Sequence, residues 1–352
     1  MSYKSINNYF IYSIPTVLTL LSTVGVITYY TNKKIEPKIK TRLQHLNQYE
    51  QQGFTIANSH QIINKYNSIP NYINTDYTNK ETVKSYMQKL QSALGNDIRI
   101  ANHNFSTLRV EQEQCIRKTG ACGTYNGTDN TIKYVKNDSY ILGHEMIHMA
   151  SYMYDPKLGI HYHGFMQQKG NTIICTGLNE GYTELLASRM FNKGRIGSYP
   201  RLVRIIKLLE EFFPNPQIVS HYYFTCNLPA FLHHLGKYCT QQEIKEIIHG
   251  LDQLYEYAFT PNHIKAITIE TKLAAKIYNI YERNFVNDPA KIKSFRKKVG
   301  ENKLSALAIN NKKYKLTKQN PFTRIKNNIQ RGFRKIKALF NTTPQTQTSY
   351  SK

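Results

Sequence analysis

The chain contains no tryptophan and has few acids: 23 Asp and Glu stand against 47 Lys and Arg among 352 residues, a formal charge of +24. Cysteine is scarce too. Cys115, Cys122, Cys175, Cys226 and Cys239 make an odd number without a C-x-x-C pair. Such a set suits a reducing compartment better than a disulfide framework. With 40% hydrophobic residues the chain is too apolar to be wholly disordered. The shortage of acids suggests nucleic acid until its distribution is counted. Residues 1–42 carry +5, residues 291–352 carry +16, and the long middle, 43–290, carries only +3. A nucleic-acid-binding fold should hold its charge on the folded surface, so this distribution counts against one. Heavy use of Asn, Lys, Ile and Tyr reads as AT-rich coding bias, which accounts for part of the lysine excess.

Long apolar runs are also few. Phe10 to Tyr30 (FIYSIPTVLTLLSTVGVITYY) is 21 residues without a charge, enough to cross a hydrocarbon core of about 30 Å as a helix. Tyr9, Tyr12, Tyr29 and Tyr30 near its ends suit the membrane interface, and a membrane helix tolerates Pro15. No small-residue cleavage site follows, which favours an uncleaved single-pass anchor over a signal peptide. Lys4 stands alone before the run, whereas Lys33, Lys34, Lys38, Lys40 and Arg42 follow it, offset by Glu36. The positive-inside rule then predicts that everything after Tyr30 is cytoplasmic.

No internal repeat organises the remainder. Apolar spacing predicts helices over 36–52 and 80–95, the second with Val83, Tyr86, Met87, Leu90 and Leu94 on one face and Gly95 as its stop. Short strands are expected at 98–101, 107–112 and 131–135, with a turn region from Gly120 to Asn130. From Asp138 onward the pattern is mostly helical, over 178–191, 201–213, 227–238 and 241–258. A small sheet followed by helices makes an α+β fold. The expected organisation is a flank at 1–9, a transmembrane helix at 10–30, a juxtamembrane helix and linker at 31–79, a core at 80–195, a helical subdomain at 196–290 and a basic tail at 291–352.

Within the core, Gly143-His144-Glu145-Met146-Ile147-His148 carries H-E-x-x-H in a helical stretch. Two histidines four apart project from one helix face and can share a Zn2+ through their imidazole nitrogens. Glu145 follows the first of them, where its carboxylate can reach water at the metal; general base is its natural role. A metzincin would need Gly at 151 and His at 154, but Ser151 and Tyr154 stand there. Downstream, Asn179-Glu180-Gly181-Tyr182-Thr183-Glu184 places two carboxylates four apart in a chain short of acids. One can ligate zinc while the other accepts the N–H of a ligating histidine.

H-E-x-x-H followed by N-E-x-x-T-E resembles the gluzincins, the thermolysin-like zinc metallopeptidases, whose second motif is N-E-x-x-S/T-D/E. The resemblance covers roughly residues 95–195. It implies a zincin-like core with His144, His148 and Glu180 as zinc ligands, Glu145 as base and Glu184 as the acid that orients a ligating histidine. The interval from His148 to Glu180 is longer than in thermolysin, so the intervening segment must form its own loop or hairpin.

Peptide hydrolysis also needs a donor for the oxyanion. His163, His221 and Tyr223 are candidates, and His163 is an alternative third ligand to Glu180. Further on, residues 322–340 place Phe322, Ile325, Ile329, Phe333, Ile336 and Phe340 at spacings of three and four with cations between them. A basic amphipathic helix of this kind suits contact with anionic lipid. The expected protein is a membrane-anchored zinc metallopeptidase acting on a peptide or protein substrate. Two other readings stand beside it. One is a catalytically inactive, zincin-derived, membrane-associated binding protein, which intact Glu145 argues against. The other is a membrane-tethered nucleic-acid binder using the basic tail, which the charge distribution argues against.

Overall fold

A computed structural model of the chain describes residues 28–49, 56–70, 81–95, 98–113, 122–135, 139–192, 194–260 and 262–301. Contacts divide the chain into two units, Met1–Ser305 and Ala306–Lys352, and every described residue belongs to the first. It is α+β. Helices α1 (28–49), α2 (Ile56–Ser68), α3 (Glu81–Leu94) and α4 (Arg99–Phe105) precede a three-stranded sheet of β1 (Arg109–Glu113), β2 (Gly123–Asn126) and β3 (Thr131–Val135). Its order is β1-β3-β2, with β1 parallel and β2 antiparallel to β3. Helix α5 (Ser139–Ala150) follows directly.

The segment between the two sequence motifs then folds as a four-stranded antiparallel meander. Its strands are β4 (Tyr152–Asp155), β5 (Ile160–His163), β6 (Met166–Lys169) and β7 (Thr172–Ile174), in chain order. Helix α6 (Thr176–Met190) returns beside α5, and α7 (Pro200–Glu210), α8 (Pro216–Phe224), α9 (Leu228–Leu235), α10 (Gln241–Glu256), α11 (His263–Asn284) and α12 (Pro289–Glu301) complete the unit.

The core is built around α6. Nearly every residue from Thr176 to Ser188 is buried, because α5, α7 and α10 pack on different sides of it. An all-round buried helix needs small and apolar faces in every direction, which Gly177, Gly181, Leu178, Leu185, Leu186 and Ala187 provide. Gly177 is the tightest of these: a Cβ there would lie 2.2 Å from the Leu251 carbonyl oxygen of α10. Each leucine withdrawn from water in this way contributes about 1.5–3 kcal/mol.

Three expectations need correction. The run 98–101 is not a strand but the start of α4. Its alternation is overridden by tertiary contacts: Ile100, Ala101, Asn104 and Phe105 are buried together, and Asn104 Nδ2 donates to the carbonyls of Met149 and Tyr152 at 2.8 and 2.7 Å. The transmembrane helix expected at 10–30 is not supported either, because among the described residues no helix is long and apolar enough to cross a membrane. Residues 10–27 lie outside the described residues, and 28–30 open α1, an amphipathic helix that buries Ile35, Ile39 and Leu46. The single-pass localisation with a cytoplasmic catalytic region falls with that helix. Two of its supporting cations belong to a docked helix: Arg42 and exposed Lys38 pair with Glu256, while the acid among them, Glu36, pairs with Lys265.

The other end shows a similar effect. Helix α12, where the basic stretch begins, packs through fully buried Phe295 and Val299 and pairs Lys298 with Glu211. Residues 322–340, with their expected lipid contact, lie outside the described residues.

Candidate metal centre

Helix α5 is buried by Leu142, Met146, Ile147 and Met149, which turns His144, Glu145 and His148 toward α6 and the edge of the first sheet. Helix α6 presents Glu180 and Glu184 to them. The Nε2 atoms of His144 and His148 are 3.2 Å apart; Glu180 Oε2 lies 3.4 Å from the first and Glu180 Oε1 3.5 Å from the second. These three residues form the one group of possible metal ligands among the described residues.

The proton on His144 can be placed from its partners. Its Nδ1 lies 3.0 Å from Glu184 Oε2, a carboxylate with no exposure at all. The other oxygen of Glu184 accepts the backbone N–H groups of Gly197 and Ser198 at 2.6 and 3.1 Å. Glu184 is therefore fixed as an acceptor, His144 donates through Nδ1, and its Nε2 presents a lone pair to His148 and Glu180. The lone pair of His144 Nε2, the Nε2 atom of His148 and the Glu180 carboxylate converge on one point, an arrangement that a cation would satisfy. Tetrahedral zinc with bonds of about 2.0–2.1 Å spaces its ligand atoms roughly 3.3–3.5 Å apart, close to the observed spacing. The donor set therefore fits zinc.

The remaining members of the second motif have structural tasks. Asn179 Oδ1 accepts the Phe165 N–H at 3.1 Å, pinning the turn between β5 and β6. Thr183 Oγ1 donates to the Asn179 carbonyl at 2.8 Å and shares a 2.5 Å hydrogen bond with the Tyr223 hydroxyl.

Glu145 is buried against β2. The ladder bond from Val135 N–H to the Cys122 carbonyl sets the alternation of that strand, leaving the backbone groups of Gly123 and Tyr125 on its open edge. The Tyr125 N–H is bonded to the Glu145 carboxylate. Gly123 permits this approach: a Cβ there would lie 2.3 Å from Ile141 Cγ2 and 2.8 Å from Glu145 Oε1. Burial raises the Glu145 carboxyl above its ordinary range; His144 and His148 pull the other way but do not cancel it. Burial also pushes Glu180 upward, yet the two histidines hold it well below the carboxylate range.

The candidate donors separate in space. His163, on β5, is partly buried beside the site; burial first, then His148 and His161, push its imidazole down to about 3. It is therefore neutral, and it stands outside the three-ligand group that includes Glu180. Tyr223 is fully buried under Phe165 and Tyr182, with its hydroxyl engaged by Thr183 and Ser151. His221 is exposed on α8 and lines a separate cleft of about 810 Å³ with Leu186, Arg189 and Phe224.

Sequence reasoning missed Tyr199. Its ring centroid is 5.9 Å from that of His144, and burial, with the charges of Glu180, Glu145 and Glu184, raises its hydroxyl above the ordinary tyrosine range. It follows directly on the Gly197-Ser198 turn that holds Glu184, and it opens α7 ahead of Pro200. No motif spacing marks it; the turn alone brings it to the candidate ligands. Compared with protein-family models, curated proteins and solved structures, the chain matches none.

Proposed function

We propose that the protein is a zinc metallopeptidase of the gluzincin type. The observation that carries the reading is the convergence of His144 Nε2, His148 Nε2 and Glu180 at 3.2–3.5 Å, with Glu184 fixing the tautomer of His144. A zinc ion bound there supplies Lewis acidity and lowers the pKa of water.

The chain's own groups supply the rest. Glu145, its carboxyl raised by burial, takes a proton from the attacking water and returns it to the leaving amine. Glu184 keeps the imidazole of His144 oriented throughout. The Tyr199 phenol, whose ring stands beside His144, can donate to the developing oxyanion. The open edge of β2, next to Glu145, can pair with an extended substrate backbone.

The test is the zinc content and peptidase activity of the full chain beside two variants. Glu180→Ala should lose the metal. Glu145→Gln should keep it, with activity lower by at least about 100-fold. Full zinc retention in Glu180→Ala would overturn the ligand assignment.

A further inference from the structure

Helix α1 precedes the metal-binding region by about a hundred residues, yet its side chains reach the helix that carries Glu180. Arg42 Nη1 donates to Thr176 Oγ1, on the first residue of α6, at 2.5 Å. Its Nε and Nη2 both reach Glu256 Oε1 of α10 at 2.7 Å. The guanidinium carbon lies 5.3 Å from the centre of the Tyr255 ring, Tyr255 packs on Tyr199, and Tyr199 packs on His144. Three residues on, His45 Nδ1 lies 3.2 Å from both the backbone N and the carbonyl oxygen of Ile173, in β7 shortly before α6.

We propose that Arg42 is a positioning residue for the metal centre, holding the N-terminal turn of α6, and through it Glu180, against α10. The proposal rests on the zinc reading given above.

The charge arrangement explains why a cation is needed at this junction. Asp252 of α10 is buried and accepts the Gly177 N–H at 2.7 Å, one residue beyond Thr176. Glu256, one turn later, is also withdrawn from water, with 8% of its side chain exposed. Two carboxylates therefore share a dry junction whose facing groups are Arg42 and Lys38 from α1, the Gly177 N–H and Cys175 from the α6 side, and Tyr255 from α10 itself. Lys38 is 3.9 Å from Glu256 and 67% exposed, so Arg42 is the cation withdrawn with the acids. Burial already pushes Asp252 up to about 6 while Arg42 holds it down. Removal of Arg42 leaves the two buried acids only the exposed Lys38, 3.9 Å from Glu256, and takes from Thr176 its guanidinium donor.

The experiment measures zinc affinity by chelator competition on the full chain at neutral pH. Arg42→Met keeps the aliphatic stem over Tyr255 and removes the charge; zinc affinity should fall at least 10-fold. Asp252→Asn alone keeps a carbonyl oxygen for the Gly177 N–H and should stay within about 3-fold of wild type. The double variant should recover most of the loss, because one carboxylate no longer needs the cation. A purely architectural role for α1 would give no such recovery. Unchanged affinity in Arg42→Met, or a double variant as weak as the single, overturns the proposal. Arg42→Lys retains the cation and must bind more tightly than Arg42→Met, which keeps the question decidable if the methionine variant unfolds. Absence of zinc binding by the wild-type chain would instead remove the metal reading itself and the positioning role with it.

Discussion

Glu184 shows how much one carboxylate can decide. It is completely buried, yet each oxygen has a donor: Nδ1–H of His144 on one side, and the Gly197 and Ser198 N–H groups on the other. In Glu184→Gln the amide oxygen can still serve the two backbone donors, but its NH2 then faces His144 Nδ1. The imidazole must become an acceptor there, which places its proton on Nε2 and blocks that atom as a ligand. Zinc affinity should fall roughly 10–100-fold with little change in fold. Chelator competition checks the affinity and near-ultraviolet circular dichroism the fold; undiminished affinity would show that the tautomer is set by something else.

At the scale of elements, the site depends on how closely α6 approaches its neighbours. Helix α6 meets α10 through Gly177, whose position leaves no room for a side chain beside Leu251 and Asp252. In Gly177→Ala the obstacle is backbone, so the two helices must separate. The loss should be on the order of 3 kcal/mol, seen as a fall of roughly 5–10 °C in Tm. An unchanged Tm would mean that the helices move apart freely. Much of this architecture is visible in the sequence: spacings of three and four anticipate α3, α6, α7 and α10, and β-branched alternation anticipates β3 at 131–135. The β4–β7 meander is not visible, because Tyr152 to Ile174 mixes histidines, glutamines and short turns without a clean period of two. The strand expected at 98–101 became α4 because burial of Ile100, Ala101 and Phe105 and the two hydrogen bonds from Asn104 to distant carbonyls outweigh a four-residue alternation.

Across the whole molecule, buried charge links stability to pH. Asp252 has a folded value of about 6 against an ordinary 3.8, so the folded state binds more protons in between. Its ionisation therefore lowers stability as pH rises from about 4 to about 6. Asp252→Asn removes that cost. The variant should match wild type at about pH 4 and exceed it by up to about 3 kcal/mol at about pH 7. Denaturant unfolding at both pH values measures the difference, and a gap that does not widen with pH would count against the buried-charge account. The same scale revises the meaning of the net charge of +24. Cations after residue 30 that resemble a topological flank belong to α1, where Lys38 and Arg42 pair with Glu256 of α10, and the first cations of the basic stretch sit on α12.

What the sequence determines by itself is local and periodic. Two histidines four apart on a helix, a glutamate beside the first of them and a second pair of acids four apart are all written in neighbouring residues, since helix geometry converts that spacing into a shared face. Tertiary structure decided which acid approaches both histidines and which one holds a tautomer. It also brought Tyr199 to His144 and Arg42 to the helix that carries Glu180. Those relations depend on where α1, α6, α7 and α10 cross, and helix crossings are set by close packing between residues far apart in the chain.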